Sequence, residues 1–532
     1  MSGMTTPAGL KALLASEETY AFIDVRERGE FNQRQILGAT NVPRRDLEYQ
    51  MSRLVPVKAT PVILCDEGGG PRAGLAADTL ARMDYTSISL LDGGLAAWQR
   101  AGYEVVEGTN VPCKDFGEKV LITKQVPEIT VEEYQARVAR GEQFILIDTR
   151  TPEEFKRGTL PGSRNVPNGE LPLRITDVVG GRDTPLVIHC GGRTRSIIGA
   201  QTLREMGVKN PLVALKNGTM GWLLAGYELQ TGVDPQPLPS PSPQGLAAAE
   251  RFADRLAKER RIPYLTVAQL QAVQARRGSE TLYLVDVRTA EEHQRGHIPG
   301  FQWFPGGQAV QRADEIVAVR TGRAVLACDG RARATLVAWW LAEMGLPNVS
   351  VLDGGATAWA AAGLPLEQGA PPAVPFGLAG ARRAARFLSP ATLNEALHNP
   401  RPPLVVDLET SRDFAGGHIP GASWIPRGWL EPRIGAFTPD MAAPIALVCN
   451  NGALSTLASA ALRGMGYADV AVLEGGRSAW ASAGLPLEKG MGGYVGEPDD
   501  VAAFVAGNRA HMEHYLAWEE ALGRKYEAAH TS

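Results

Sequence analysis

Short apolar runs alternate with amphipathic stretches along the whole chain, the pattern of strands buried on both faces and helices packed against them. In the first hundred residues a helix is predicted over Pro7–Ala15, then a strand over Ala21–Val25 and a polar helix opening at Glu27–Phe31. A strand ending at Cys65 follows, then a helix over Ala73–Met83, a strand over Ser87–Leu90 and a helix over Leu95–Ala101. Such alternation predicts α/β units around a buried, mostly parallel sheet.

The same order returns three more times. Strands ending in aspartate stand at Asp24, Asp148, Asp286 and Asp407. Apolar runs end in a cysteine at Cys65, Cys190, Cys328 and Cys449, and turns lead to tryptophans at Trp98, Trp222, Trp359 and Trp480. The chain is thus a fourfold internal repeat. The units are predicted at residues 5–107, 127–231, 262–369 and 385–490, with a tail over 491–532. Domains of about 100 to 130 residues are large enough for a core each. Residues 108–126 read as an irregular connector containing Cys113, and Gly232–Gly245 as a Pro/Ser-rich linker. Leu246–Lys258 reads as an entry helix to the third unit. Because the longest spacer falls mid-chain, the first and second units are expected to pair, and the third with the fourth. Residues Pro235–Pro243 are then the expected site of proteolysis. A tail helix is predicted from Asp499 or Asp500 to Tyr526, with a broken apolar stripe that includes Phe504, Val505 and Leu516. Its His511-Met512-Glu513-His514 lacks the spacing of a helical zinc motif, so no metal is expected.

Composition narrows the setting. A net charge of -4 gives no reason to expect nucleic acid as a partner. No stretch is apolar enough to span a bilayer, and Met1–Leu14 does not read as a leader. Five cysteines, four in the repeat, do not resemble a disulfide framework. A reducing cytoplasm is the expected location.

Candidate chemistry centres on Val187-Ile188-His189-Cys190-Gly191-Gly192-Arg193-Thr194-Arg195-Ser196-Ile197-Ile198. A buried strand delivers a cysteine into a loop that opens a helix. Converging amides at a helix N-terminus favour a thiolate, and with Arg193 and Arg195 they form a concavity for an anion.

Each unit resembles a rhodanese domain. The resemblance rests on Asp-x-Arg (Asp286-Val287-Arg288), on His-Ile-Pro-Gly (His297 to Gly300, His418 to Gly421), on the loop cysteine and on Gly-Gly-x-x-x-Trp. It implies an α/β fold of four tandem domains, each a mostly parallel five-stranded sheet flanked by helices. It also implies sulfurtransferase chemistry through a cysteine persulfide. A sulfane sulfur would pass from thiosulfate or a related anion to a thiol or cyanide acceptor, without cofactor or metal. Arg195 lies five positions after Cys190, the loop length of the sulfurtransferases; related phosphatases have one residue more. Cys190 is accordingly the leading nucleophile, with Gly191, Gly192, Arg193, Thr194, Arg195 and Ser196 as the substrate cradle.

Cys328 is the second candidate, although Asp329 should raise its pKa. The first loop, Cys65 to Arg72, is longer by two and carries two acids, and the fourth has no arginine; both read as inactive. Asp148, Arg150 and Glu154 are expected to support the strand exit rather than move protons. Arg193 is expected to face solvent, His189 to point away from the thiol, and Trp222 to be a core wedge. Cys113 reads as an incidental thiol. Rival readings are a binding scaffold with spent sites, favoured by an unreactive Cys190, and a phosphatase or arsenate reductase, opposed by the short loop.

Overall fold

The computed structural model describes residues 3–369, 373–498, 500–501 and 508–530. It contains four five-stranded sheets, all of their strand pairs parallel. Numbering the strands of each domain in chain order, every sheet runs 1-5-4-2-3. The central strands are buried on both faces, as at Leu186–His189 and Ile445–Val448, which is why they read as continuous apolar runs.

Local chemistry starts the helices where expected. Thr151 accepts from the Glu154 amide, Pro152 occupies the first turn, and the Glu154 side chain returns to the Thr151 amide. The same reciprocal cap recurs at Thr289 with Glu292. Each cap places a carboxylate at the third helical position, and the site uses that placement.

The connector over 108–126 is not irregular. It forms a helix, Val111–Thr123, that buries Val111, Cys113, Phe116 and Val120 against the helix Thr194–Met206. Two further connector helices lie against loop helices: Pro243–Arg260 buries Ala249, Phe252, Ala253 and Leu256 and packs on Ala332–Glu343, and Leu378–Ala384, with no buried residue, rests on Ala453–Gly464. The tail holds helices Arg509–Ala521 and Arg524–His530, whereas Phe504 and Val505 of the expected stripe lie outside the described residues.

The expected pairing is corrected. One compact unit comprises Met1–Thr109 with Pro371–Ala503, the first and fourth domains. The other comprises Asn110–Ala370 with Phe504–Ser532, the second and third domains with the tail. In the first unit Arg44 forks onto Glu431 at 3.0 Å, and the Arg72 guanidinium lies 3.8 Å from the Trp429 ring centre. In the second, Arg333 meets Glu170 at 2.8 Å, and the buried Trp340 donates to Thr202 Oγ1 at 3.2 Å with its ring edge-on to Phe116. Linker length does not decide pairing; complementary faces do. The Pro/Ser-rich linker is itself anchored, since Pro239 O accepts from Arg174 and the Ser242 amide donates to Asp177. Both of its flanking domains belong to one unit, so a cut there does not separate two halves.

Trp340 is fully buried and joins the second domain to the third. Trp340→Ala should destabilise this unit by about 3 to 5 kcal/mol, the usual cost of emptying so large a core site. Denaturant titration followed by circular dichroism measures it, and a loss below 1 kcal/mol would show that the two domains do not depend on this contact.

Candidate active site

Cys190 follows the strand Leu186–His189 and precedes the helix Thr194–Met206. It is buried, and its thiol donates to Ser196 Oγ at 3.6 Å. Its carbonyl accepts from the Thr219 amide at 2.9 Å, and the Gly191 carbonyl from the Met220 amide at 3.0 Å. The turn at Asn217-Gly218 therefore clamps the loop from behind. A Cβ on Gly218 would stand 2.2 Å from the Cys190 carbonyl oxygen, and φ there is +47°, so only glycine fits. This is the physical content of the glycine in the repeat's turn motif.

Arg195 forks onto Glu154 at 2.6 and 2.8 Å. Burial opposes the Arg195 charge, but the carboxylate outweighs it and raises the pKa; Glu154 is held below the usual carboxylate range in spite of its own burial. The pair recurs as Arg333 with Glu292 and Arg72 with Glu30. Glu154 thus holds the cradle arginine. The strand exit belongs to Asp148 and Arg150, whose fork spans 2.7 to 3.2 Å, with Thr159 donating to Asp148 at 2.7 Å. Burial favours the neutral acid, yet these groups and His189 outweigh it and hold Asp148 down to about 2.

Arg193 does not face solvent. It is buried, forks onto Glu118 at 2.7 and 3.0 Å and reaches Glu520 at 3.2 Å. Glu118 comes from the connector helix and Glu520 from the tail helix, neither of which the repeat pattern places at the loop. The tail also brings Glu519 onto the loop. Both the amide (3.3 Å) and the hydroxyl of Thr194 donate to Glu519 Oε1. Tyr515 and Leu516 line the same side, so that a Cβ on Gly192 would lie 3.3 Å from Glu519 Oε2 and 3.5 Å from the Tyr515 ring. Lys114 lies over the Tyr515 ring, and burial pushes its ammonium down to about 8. One signal for the tail was present in the sequence: Met512, Leu516 and Glu519 share a helix face, with a carboxylate interrupting an apolar stripe.

The other loops differ in ways that matter. In the first domain the strand register places Cys65 opposite Asp24, where the second domain has His189 opposite Asp148. The third and fourth domains have Ala327 and Val448 there. Cys65 is therefore a strand residue packed in the core, and Asp66 holds the position that Cys190 holds. The Leu95 amide confirms the register, donating to Asp66 O as Thr219 donates to Cys190 O. The expected equivalence of four cysteines is corrected to three, and the first loop is longer by one, not two. The Asp66 carboxylate fills its own cradle, accepting from the amides of Gly68, Gly69, Gly70 and Ala73 at 2.6 to 3.2 Å.

In the third domain burial, then Asp329, pushes the Cys328 thiol up to about 12. Arg333 is shared among Glu170, Glu292 and Asp329, and Arg331 is held by Glu250 and Asp254 of the preceding connector helix. In the fourth, burial raises the Cys449 thiol and Glu409 accepts the Asn450 amide at 2.7 Å. Cys113 is also pushed up to about 12 by burial, and it lines a small cleft with Arg195, Asn168 and Trp340. Trp222 is buried in its domain's core. Among the described residues no three His, Cys, Asp or Glu side chains gather as a metal site, and no helix is long and apolar enough to cross a membrane.

Four repeats of one sheet order, each ending a central strand in a loop under a helix N-terminus, agree with the family comparison. The rhodanese-like domain model matches residues 6–101, 130–225, 268–362 and 389–483, and the chain belongs to the rhodanese family. A crystal structure described as a thiosulfate sulfurtransferase from Pseudomonas aeruginosa is 35% identical, with 99% of each chain covered and a TM-score of 0.90. A sulfurtransferase of Allochromatium vinosum is 34% identical over 20% of this chain and 94% of its own length. The 3-mercaptopyruvate sulfurtransferase of Escherichia coli K12 is 29% identical over 33% of this chain and 68% of its own. These relatives support sulfur transfer as the general activity.

His189 supplies a test of the strand beneath the site. Its ring is buried, with Nε2 at 2.7 Å from Ser163 Oγ, and burial pushes its pKa down to about 4. Between about pH 4 and 6.5 the unfolded chain therefore binds more protons than the folded one. The stability that the neutral ring contributes is present above 6.5 and is lost as pH falls toward 4, by up to about 1.4 kcal/mol per pH unit. His189→Gln should flatten that part of the stability profile measured by denaturant titration. An unchanged slope would mean that His189 is not held neutral.

Proposed function

We propose that the protein is a sulfurtransferase whose working nucleophile is Cys190, with thiosulfate or a related sulfane anion as donor. One observation carries the assignment. Among the four loops, only that of the second domain combines a cysteine at the clamped position, a short spacing to two arginines, and no acid at the next residue. The full-length similarity to a thiosulfate sulfurtransferase supports the choice of donor.

The reaction is a double displacement. The Cys190 thiolate attacks the outer sulfur of thiosulfate, forming an Sγ–S bond. The bond between the two donor sulfurs breaks, and its electron pair leaves with sulfite. The persulfide then gives its outer sulfur to a nucleophile, cyanide in an assay or a thiol, and the thiolate returns. Loop amides and Arg195 hold the anionic end of the donor, and the Asn217-Gly218 clamp fixes the loop carbonyls behind Cys190.

Cys190→Ser should reduce thiosulfate:cyanide turnover by about three powers of ten or more while the circular dichroism spectrum stays that of the wild type. Cys328→Ser should keep most of the activity. If Cys190→Ser keeps most of the rate and Cys328→Ser loses it, the site lies in the third domain.

A further inference from the structure

The tail helix Arg509–Ala521 places a carboxylate where the substrate's own charge would bind. Glu519 is 1% exposed, and its Oε1 takes both the amide and the hydroxyl of Thr194, two cradle donors. Its second oxygen, Oε2, is buried with no hydrogen-bond donor at bonding distance, and it lies over Gly192. Of the neighbouring cations, the buried Lys114 over the Tyr515 ring is the one drawn to the Glu519 charge; the others are held by different carboxylates. Arg193 is committed to Glu118 and Glu520, Arg195 to Glu154, and Lys216 to Glu520. Burial, then the Glu519 charge, holds the Tyr515 phenol well above its ordinary range. A carboxylate left partly unsatisfied in such a place costs stability, so its position calls for a role beyond packing.

We infer that Glu519 is a specificity-determining residue of the Cys190 site, competing with the donor's anionic group for Thr194 and so disfavouring dianionic donors relative to monoanionic ones. This rests on the proposed role of Cys190 and deepens it. A sulfonate entering the cradle must displace the carboxylate from the Thr194 amide and hydroxyl, and any part of its charge left near Oε2 is repelled. The penalty scales with donor charge. In both cases the thiolate takes the outer sulfur; thiosulfate leaves as sulfite, and methanethiosulfonate leaves as methanesulfinate with the electron pair of the broken S–S bond.

The test compares these two donors with the full-length wild type, Glu519→Gln and Glu519→Ala, cyanide being the acceptor. Glu519→Gln should raise kcat/KM for thiosulfate about tenfold, mainly through KM, and for methanethiosulfonate only about threefold, because one charge is repelled less than two. Glu519→Ala should shift the ratio in the same direction. The wild type gives an arm that needs no variant: at equal concentration and ionic strength, sulfate should inhibit less than methanesulfonate. A donor ratio unchanged by substitution, a fall in thiosulfate efficiency in folded variants, or stronger inhibition by sulfate would overturn the inference. Absence of a Cys190 persulfide from either donor in all three proteins would overturn the Cys190 reading, and this inference with it.

Discussion

Each domain delivers a strand end beneath a helix N-terminus, where several backbone amides converge in a buried loop and must find acceptors. The structure answers this demand with carboxylates. Asp66 fills the first cradle from within, Glu519 reaches the second from the tail, Asp329 takes the Gly330 amide in the third, and Glu409 takes the Asn450 amide in the fourth. A loop whose amides are met by its own short side chain has no vacancy for a substrate anion. A loop met by a carboxylate on a separate helix can exchange it. That distinction, more than the count of cysteines, separates the second domain from the first.

The second constraint is the clamp on the loop carbonyl. In every domain a glycine in a left-handed turn passes so close to that carbonyl that a Cβ would stand 2.1 to 2.7 Å away. The clamp fixes which residue occupies the cradle, and it identifies Asp66 rather than Cys65 in the first domain. Strand register enforces the same choice. A shift of one residue turns a side chain to the opposite face of the sheet, so Cys65 is a core residue although it looks like its counterparts in sequence.

Much of this was legible in the sequence, and the gaps have physical causes. Apolar runs, helix caps and the recurring aspartate, cysteine and tryptophan positions suffice for the α/β repeat, because those signals are local. The strand-to-helix loop that carries Cys190 and Arg195 was equally legible, since its members are contiguous. Arg193 was misplaced because its partners, Glu118 and Glu520, lie in a connector and a tail outside the repeat. The pairing of the domains escaped for the same reason. It depends on surface complementarity such as Trp340 against Thr202 and Phe116, to which linker length is indifferent. The connector over 108–126, read as irregular, and the helix read as the entry to the third unit both pack on the loop helix of the domain that follows, and they supply the carboxylates that hold Arg193 and Arg331.

The central claim is that, of five buried cysteines, one alone carries transferred sulfur. Intact-mass measurement of the full-length protein after thiosulfate treatment, followed by peptide mapping under non-reducing conditions, tests it most directly. The account predicts one added sulfur per chain, located on Cys190 and removed by cyanide. Sulfur found on Cys328 or Cys113 in place of Cys190, or a folded protein that takes up none, would contradict it.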